Sequence, residues 1–212
     1  METREAIETR RSVRNYEDGE ITDEQLRELF DAVRWAPSSY NLQPWEFLVV
    51  RDDENKERLK ECAYGQEQVT EASAVVVVFG DTDRGRRART VFFDQYEKGY
   101  RSEERAEELV ETMETESRDN EAWAKQNATI AATTLLYAAR DMGLASCPMG
   151  GWDADAIVKE FDVPSALVPV LMVTLGYPDD EAFERERKYR RSTDDIVHLE
   201  DLDSFDFETS QE

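Results

Sequence analysis

At 212 residues, 40% hydrophobic and 10% aromatic, the chain is long enough to bury one substantial core and too apolar to be disordered. Its 49 acidic and 26 basic residues leave a net charge of −23, a field that repels phosphate backbones and argues against nucleic-acid binding. One histidine and two cysteines without a CxxC spacing are too few for most zinc or histidine-based designs, so any chemistry must come from a cofactor, a carboxylate or a nucleophile without a histidine partner.

A helix is expected over the first ten residues, ending around the stretch "RRSVR" (residues 10–14). Thr22 followed three residues later by Gln25 is a capping-box signature, and Leu26, Leu29, Phe30 and Val33 continue at helical spacing until Pro37 closes the helix. The stretch "WAPSSYNLQPWEF" (residues 35–47) then crowds hydroxyls, amides and two prolines between Trp35 and Trp45. It is too polar for a core element and too aromatic for a plain surface loop. Residues 46–52 read as a strand, 54–63 as a short helix, and "SAVVVVFGD" (73–81) as a strand buried on both faces.

From Arg84 to about Asn120 the composition becomes charged and helix-forming, with a sparse apolar face of Phe92, Phe93, Tyr96, Leu109, Val110 and Met113. This segment reads as a surface excursion or lid. Residues 121–144 are rich in alanine and nearly apolar all round, which predicts a buried central helix stopping at Gly143. "SCPMGGWD" reads as a tight turn, residues 153–163 as a helix ending before Pro164, and "LVPVLMVTLGYP" as a second buried strand. The tail turns basic and then, from about residue 200 to 212, acidic. One α+β domain spanning 1–212 is the expectation.

Only six of the basic residues are lysine. Together with the evenly spread acid this favours a salt-accumulating cytoplasm, where self-repulsion is screened, over a merely acidic mesophilic protein. No apolar run approaches the roughly 20 residues of a membrane span. The first residues, "METREAIETRR", lack the apolar centre of a signal peptide. The expected location is the cytoplasm, with no membrane partner.

Three polar clusters stand out. Arg10, Arg14 and the Ser12 hydroxyl could grip an anion, or simply balance the dipole of a helix C-terminus. Lys188 and Arg190, on alternate positions, would face one side of an extended segment and could complete a phosphate site, or be surface charge. The glycines of "CPMGGW" permit exposed backbone amides close to a ligand, or an ordinary turn. Cys147 beside them reads as a buried small residue more readily than as a nucleophile.

In this order "RRSVRNY", "APSSYNLQPWEFLVV", "GLASCPMGGW" and "LGYP…KYRRSTDDIVH" resemble the FMN-dependent nitroreductase family, over about residues 5–199. The resemblance implies a three-layer fold: a central mixed, mainly antiparallel sheet flanked by helices, with a C-terminal extension wrapping a partner subunit. It implies a homodimer with two FMN molecules at the interface. By position, Arg10, Arg11, Ser12 and Arg14 would hold the phosphate and ribityl chain with Lys188 and Arg190. Pro37, Ser38, Ser39 and Asn41 would reach the flavin of the partner subunit, while Trp35 and Trp45 pin that loop into core and interface. Pro148, Met149, Gly150 and Gly151 would line one face of the ring, with a backbone amide near Gly150 or Gly151 directed at N5. Gln66, or Gln68, stands where the family often places an amide on the pyrimidine edge. Family members often carry an acid where this chain has Gly150.

The implied activity moves a hydride from NADH or NADPH through FMN to a small electrophilic acceptor, a nitroaromatic, quinone or similar compound, by a ping-pong mechanism. Such a carrier needs no protein nucleophile. Phe92, Phe93, Tyr96 and Trp123 are either a substrate channel or the packing faces of their helices. His198, in the wrapping tail, is assigned a packing or capping role. The alternatives are specialised flavin chemistry, of the dimethylbenzimidazole synthase or dehalogenase kind, and a non-catalytic protein that binds or stores FMN.

Overall fold

A computed structural model of the chain describes residues 1–115, 119–179, 181–200 and 202. Four strands among them form one sheet: β1 (Trp45–Val50), β2 (Ala74–Asp81), β3 (Ala145–Met149) and β4 (Leu167–Gly176). Their order across the sheet is β1-β2-β4-β3, and every neighbouring pair is antiparallel. Among the described residues the one parallel pairing is an isolated bridge between Ser12 and Ser146 of β3. The valine run of β2 occupies the inside of the sheet with all eight residues buried, as its β-branched composition requires.

Helices α1 (Thr3–Thr9), α2 (Asp23–Val33) and α7 (Asn120–Asp141) are joined on the chain by α3 (Asp53–Cys62), α4 (Gln68–Glu71), α5 (Gly85–Glu97), α6 (Glu103–Thr115) and α8 (Ala154–Glu160). Helix α2 begins with the expected capping box: the Gln25 amide donates to Thr22 Oγ1 at 3.2 Å and the Thr22 amide to Gln25 Oε1 at 3.0 Å. It ends at Val33, four residues before Pro37, so the proline belongs to the loop that follows.

One sheet face packs against α2 and α7 through Leu29, Val33, Val76, Val78 and Leu135; the other packs Val75, Val77 and Met172 with Leu59, Val69 and Ile157 from α3, α4 and α8. The result is three layers. The alanines of α7 let it lie close on β2: a methyl added at Gly80 would come 2.9 Å from the Ala124 backbone. Gly143, at φ +78°, ends the helix as expected.

One reading changes. The stretch read as a tight turn contains β3, because the free edge of β4 offers it a full ladder from Ala145 to Met149. Pro148 is tolerated there because β3 is an edge strand. The excursion is a helical hairpin, α5 and α6, with its own small core of Ala88, Phe92, Ala106, Leu109, Val110 and Met113. Leu42, from the loop after α2, completes that core. Among the described residues no helix is long and apolar enough to cross a membrane. Of the expected acidic tail, residues 201 and 203–212 lie outside the described residues.

Candidate cofactor site

Residues 185–187 of the tail meet the end of α1. A seven-residue helix leaves its last carbonyls without intrahelical donors, and its C-terminus carries the negative end of the dipole. Arginines satisfy them. Arg11 Nη1 donates to the carbonyls of Glu8 and Thr9 at 3.0 Å and of Arg10 at 3.2 Å. Arg187, from the tail, donates to the Glu8 carbonyl and, at 3.4 Å, to that of Ile7. Arg11 Nε in turn donates to the Arg185 carbonyl at 3.2 Å, so each segment's guanidinium grips the other segment's backbone.

The tail is pressed into place by Ala182, fully buried against Val13 and Ala145, and by Phe183, whose ring lies 3.8 Å under the Arg140 guanidinium. On the other side Val13 donates to the Ser146 carbonyl at 3.1 Å, and the Tyr16 hydroxyl donates back to the Val13 carbonyl at 2.8 Å. That hydroxyl also lies 2.6 Å from Thr174 Oγ1, and burial pushes its pKa well up, so it stays a neutral phenol.

This clasp encloses a cavity of about 370 Å³ lined by Arg10, Arg11, Ser12, Arg14, Arg185, Arg187, Lys188 and Arg190, with Glu186 the one acid. Its volume falls within the roughly 300–1,000 Å³ of small-molecule sites. The structure thus brings together all six clasp residues singled out in the sequence, but they are not equivalent. Arg11 has Nε and Nη1 committed to carbonyls and acts as a brace. Among the described residues Arg14 and Lys188 have no side-chain hydrogen bond or ion pair, and Arg10 has only a 3.4 Å contact with Ser12 Oγ. Burial, with repulsion from Arg187 and Arg190, lowers the pKa of Arg10. Seven cations around one space in a chain of net charge −23 form a site that an anion would relieve.

From Ser146 the edge strand leads away from the clasp to Gly150 and Gly151. Both are exposed, and their amides donate to no acceptor among the described residues. A methyl at Gly150 would meet nothing within 4 Å. Gln66 Nε2 donates to the Gly151 carbonyl at 2.6 Å and to the Ala63 carbonyl at 3.0 Å, which fixes the glycine pair and leaves Oε1 as its free atom. Gln68, by contrast, is buried behind it on α4. Trp152 Nε1 donates to the Met149 carbonyl at 2.8 Å and braces the same turn. Met149 is buried and Pro148 half-buried.

The loop of residues 35–45 stands apart from the cavity. Tyr40, Asn41 and Gln43 all have positive φ, of 57°, 58° and 49°, a backbone strain that side-chain-bearing residues adopt at a cost and that gathers at functional sites. Among the bonds that hold it, Gln43 donates to Ser38 Oγ at 2.9 Å, and Ser39 donates to Asn127 Oδ1 at 2.8 Å. Pro37, Ser39 and Asn41 are exposed, and Ser38 is half-buried. Trp45 is in the core, whereas Trp35 is 78% exposed with Arg34 over its ring.

Of the four excursion aromatics, Phe92 is 0% exposed inside the hairpin core, with Tyr40 packed edge-on at 6.3 Å; its position is that of a packing residue, not a channel wall. Phe93 and Tyr96 form an edge-on pair at 6.2 Å, with Arg89 over Phe93. Trp123 carries the Arg84 guanidinium at 4.4 Å. Cys147 is buried; burial raises its thiol pKa, and Arg14 and Arg10 only partly offset this. It is poorly suited to attack. His198 is half-buried in the tail. Residues the sequence reading passed over are Tyr16, Arg185, Arg187 and Asn127. The first three sit inside or beside the quoted basic runs, while nothing local marks Asn127.

Residues 7–177 match the profile of the Nitroreductase family. The Bacillus subtilis (strain 168) protein named "Putative NAD(P)H nitroreductase YodC" is 33% identical over 190 residues, which cover 87% of this chain and 94% of that protein. A Thermus thermophilus protein named "NADH dehydrogenase" is also 33% identical, covering 88% of this chain and 92% of its own length. The solved structure of "a putative nitroreductase in complex with FMN" from Exiguobacterium sibiricum 255-15 superposes with a TM-score of 0.83 at 28% identity, covering 93% of this chain and 97% of that one.

Proposed function

Because the chain belongs to the nitroreductase family, we propose that it is an FMN-dependent oxidoreductase that takes a hydride from NADH or NADPH and delivers it to an electrophilic acceptor such as a nitroaromatic or a quinone. The observation that carries this reading is the arginine clasp. A strongly acidic chain has gathered seven cations from residues 10–14 and 185–190 around one cavity, which fits the dianionic phosphate of FMN. The open space and free amides at Gly150 and Gly151 fit the approach of a flat ring.

Arg10, Arg14, Lys188 and Arg190 would bind the phosphate, with Arg11 and Arg187 bracing the backbone that carries them and Ser12 at the cavity wall. Gly150 and Gly151, held by Gln66, would present amide donors to the ring and favour negative charge as it develops there. Pro148 and Met149 would form the apolar floor beneath. Bound FMN would supply the hydride-accepting and hydride-donating chemistry, reductant and acceptor using the site in turn, which is ping-pong behaviour. No side chain is asked to act as nucleophile, consistent with the buried, raised-pKa thiol of Cys147.

The proposal includes a homodimer. Pro37, Ser38, Ser39 and Asn41 make no described contact with the clasp cavity of their own chain, and Trp35 beside them is left to solvent. Ile196, Val197, Leu199 and Leu202 of the tail are likewise exposed. A second copy would cover both and bring the loop to the neighbouring cofactor. The cytoplasm of a salt-accumulating cell remains the proposed setting, on the charge.

Anaerobic titration tests the reading. The purified dimer should carry or take up FMN, and NADH or NADPH should bleach it, with reoxidation on adding a quinone. Failure of both nucleotides to bleach the bound flavin would rule out the reductase.

A further inference from the structure

Asn127 sits in the middle of α7, 1% exposed, with Ala124, Ala128 and Ala131 buried around it. An amide is out of place in so apolar a helix unless both its ends are paired. They are. Nδ2 donates to the Trp123 carbonyl one turn earlier at 2.8 Å, and Oδ1 accepts from the Ser39 amide at 2.8 Å. The first bond fixes which end is which, since only the NH₂ can face a carbonyl. The oxygen is therefore always the atom offered to the loop.

What it holds is the entrance to a strained turn. Ser39 immediately precedes Tyr40 and Asn41, both at positive φ, and Gln43 follows at positive φ. Leu42 is drawn into the α5–α6 hairpin, and Arg87 of α5 donates to the Gln43 carbonyl at 2.6 Å. The far side of the loop is thus fixed by the hairpin. The near side has the Ser38 hydroxyl, which is internal to the loop, and Asn127, which ties it to the body of the fold. Packing alone would be served by leucine at this position.

We infer that Asn127 is a positioning residue for the cofactor-facing loop: its Oδ1 sets the place of the Ser39 backbone and so of the Ser38, Ser39 and Asn41 side chains. This inference rests on the flavin reading above for its functional consequence. The geometry of the loop itself does not.

The test compares the full-length protein with Asn127→Leu and Asn127→Asp, reading FMN affinity by quenching of flavin fluorescence and amide hydrogen exchange over residues 36–45. Asn127→Leu leaves the Ser39 amide unpaired. It should weaken FMN binding about tenfold or more and expose the loop to exchange, with α7 protection retained. In Asn127→Asp the protonated carboxyl reproduces both bonds, whereas the ionised form turns an oxygen on the Trp123 carbonyl. Its FMN affinity, relative to wild type at the same pH, should be close to one at low pH and fall as pH rises. If the side chain only fills space, ionisation lowers global stability with no selective rise in exchange over residues 36–45. Wild-type affinity in Asn127→Leu, or a flat pH ratio in Asn127→Asp, overturns the inference, and the Asp series decides alone if the Leu variant does not fold. Should the wild type itself bind no FMN, the flavin reading fails, and unchanged loop exchange in Asn127→Leu would then be what removes the positioning role.

Discussion

The clasp of residues 10–14 and 182–190 and the loop of residues 35–45 are both rich in polar groups, and they are held by opposite physical means. The clasp is electrostatic and long-range: Arg11 reaches a carbonyl 174 positions away, and the cations it gathers repel one another. The loop carries little charge and is short, and its cost is backbone strain at Tyr40, Asn41 and Gln43. Each such residue costs about 1–2 kcal/mol. The clasp residues line one cavity, and Pro37, Ser38, Ser39 and Asn41 of the loop are not among its lining. The clasp thus depends on net charge and the loop on covalent geometry and a buried amide, so different perturbations should separate them.

The sharpest separation should come from Arg14→Ala combined with Lys188→Ala, the two clasp cations with no side-chain hydrogen bond or ion pair among the described residues. Each lost charge-assisted bond to a phosphate is worth about 1.5–3 kcal/mol, so FMN affinity should fall by about a hundredfold or more. The thermal midpoint of the cofactor-free protein should hold or rise, because like charges have been removed. Unchanged affinity would mean that the cavity is not the seat of the phosphate.

Arg187→Ala should do the reverse. It strips donors from the carbonyls that end α1, and denaturant unfolding of the cofactor-free protein should show a loss of about 1–2 kcal/mol. FMN affinity should drop less than in the double variant, and a larger drop would class Arg187 as a ligand rather than a brace.

Salt gives the mildest contrast. Raising KCl from dilute to molar should raise the thermal midpoint by several degrees, because both the repulsion in the clasp and the surface charge of −23 are screened. The strain at Tyr40, Asn41 and Gln43 should be indifferent, so loop exchange over residues 36–45 should not follow the midpoint. A flat or falling midpoint refutes adaptation to salt.

Some of this was legible in the residues. Thr22 and Gln25 predicted a capping box, and both of its bonds are present. The valines of β2 and the alanines of α7 announced burial by composition; the valines are all buried, as are Ala124, Ala128, Ala131, Ala132 and Ala139, while Ala122 and residues 125, 126, 129, 130 and 133 leave α7 an exposed face. The basic runs at residues 10–14 and 188–190 could be named, and the structure gathers them around one cavity. Division of labour among those arginines could not be read, because it depends on which carbonyls at the end of α1 each one meets. Strand β3 was hidden by Pro148 and the glycines that follow, since its claim to be a strand comes from β4 and not from its own composition. Phe92 gave no sign whether it faced a channel or a core until α6 and Leu42 closed over it.

The sequence by itself determined what is local: periodicity, caps, the valine-rich strand, and four motifs in an order that points to one family. Those are free energies set within a few residues, so they survive without a fold. Only the tertiary structure decided that Arg11 braces, that Arg14 and Lys188 have no bonded side-chain partner among the described residues, and that an asparagine in an alanine helix receives the Ser39 amide. The Arg11–Arg185 and Ser39–Asn127 bonds join groups 174 and 88 positions apart at about 3 Å, and hydrogen bonds of that reach exist only once the chain has folded back on itself.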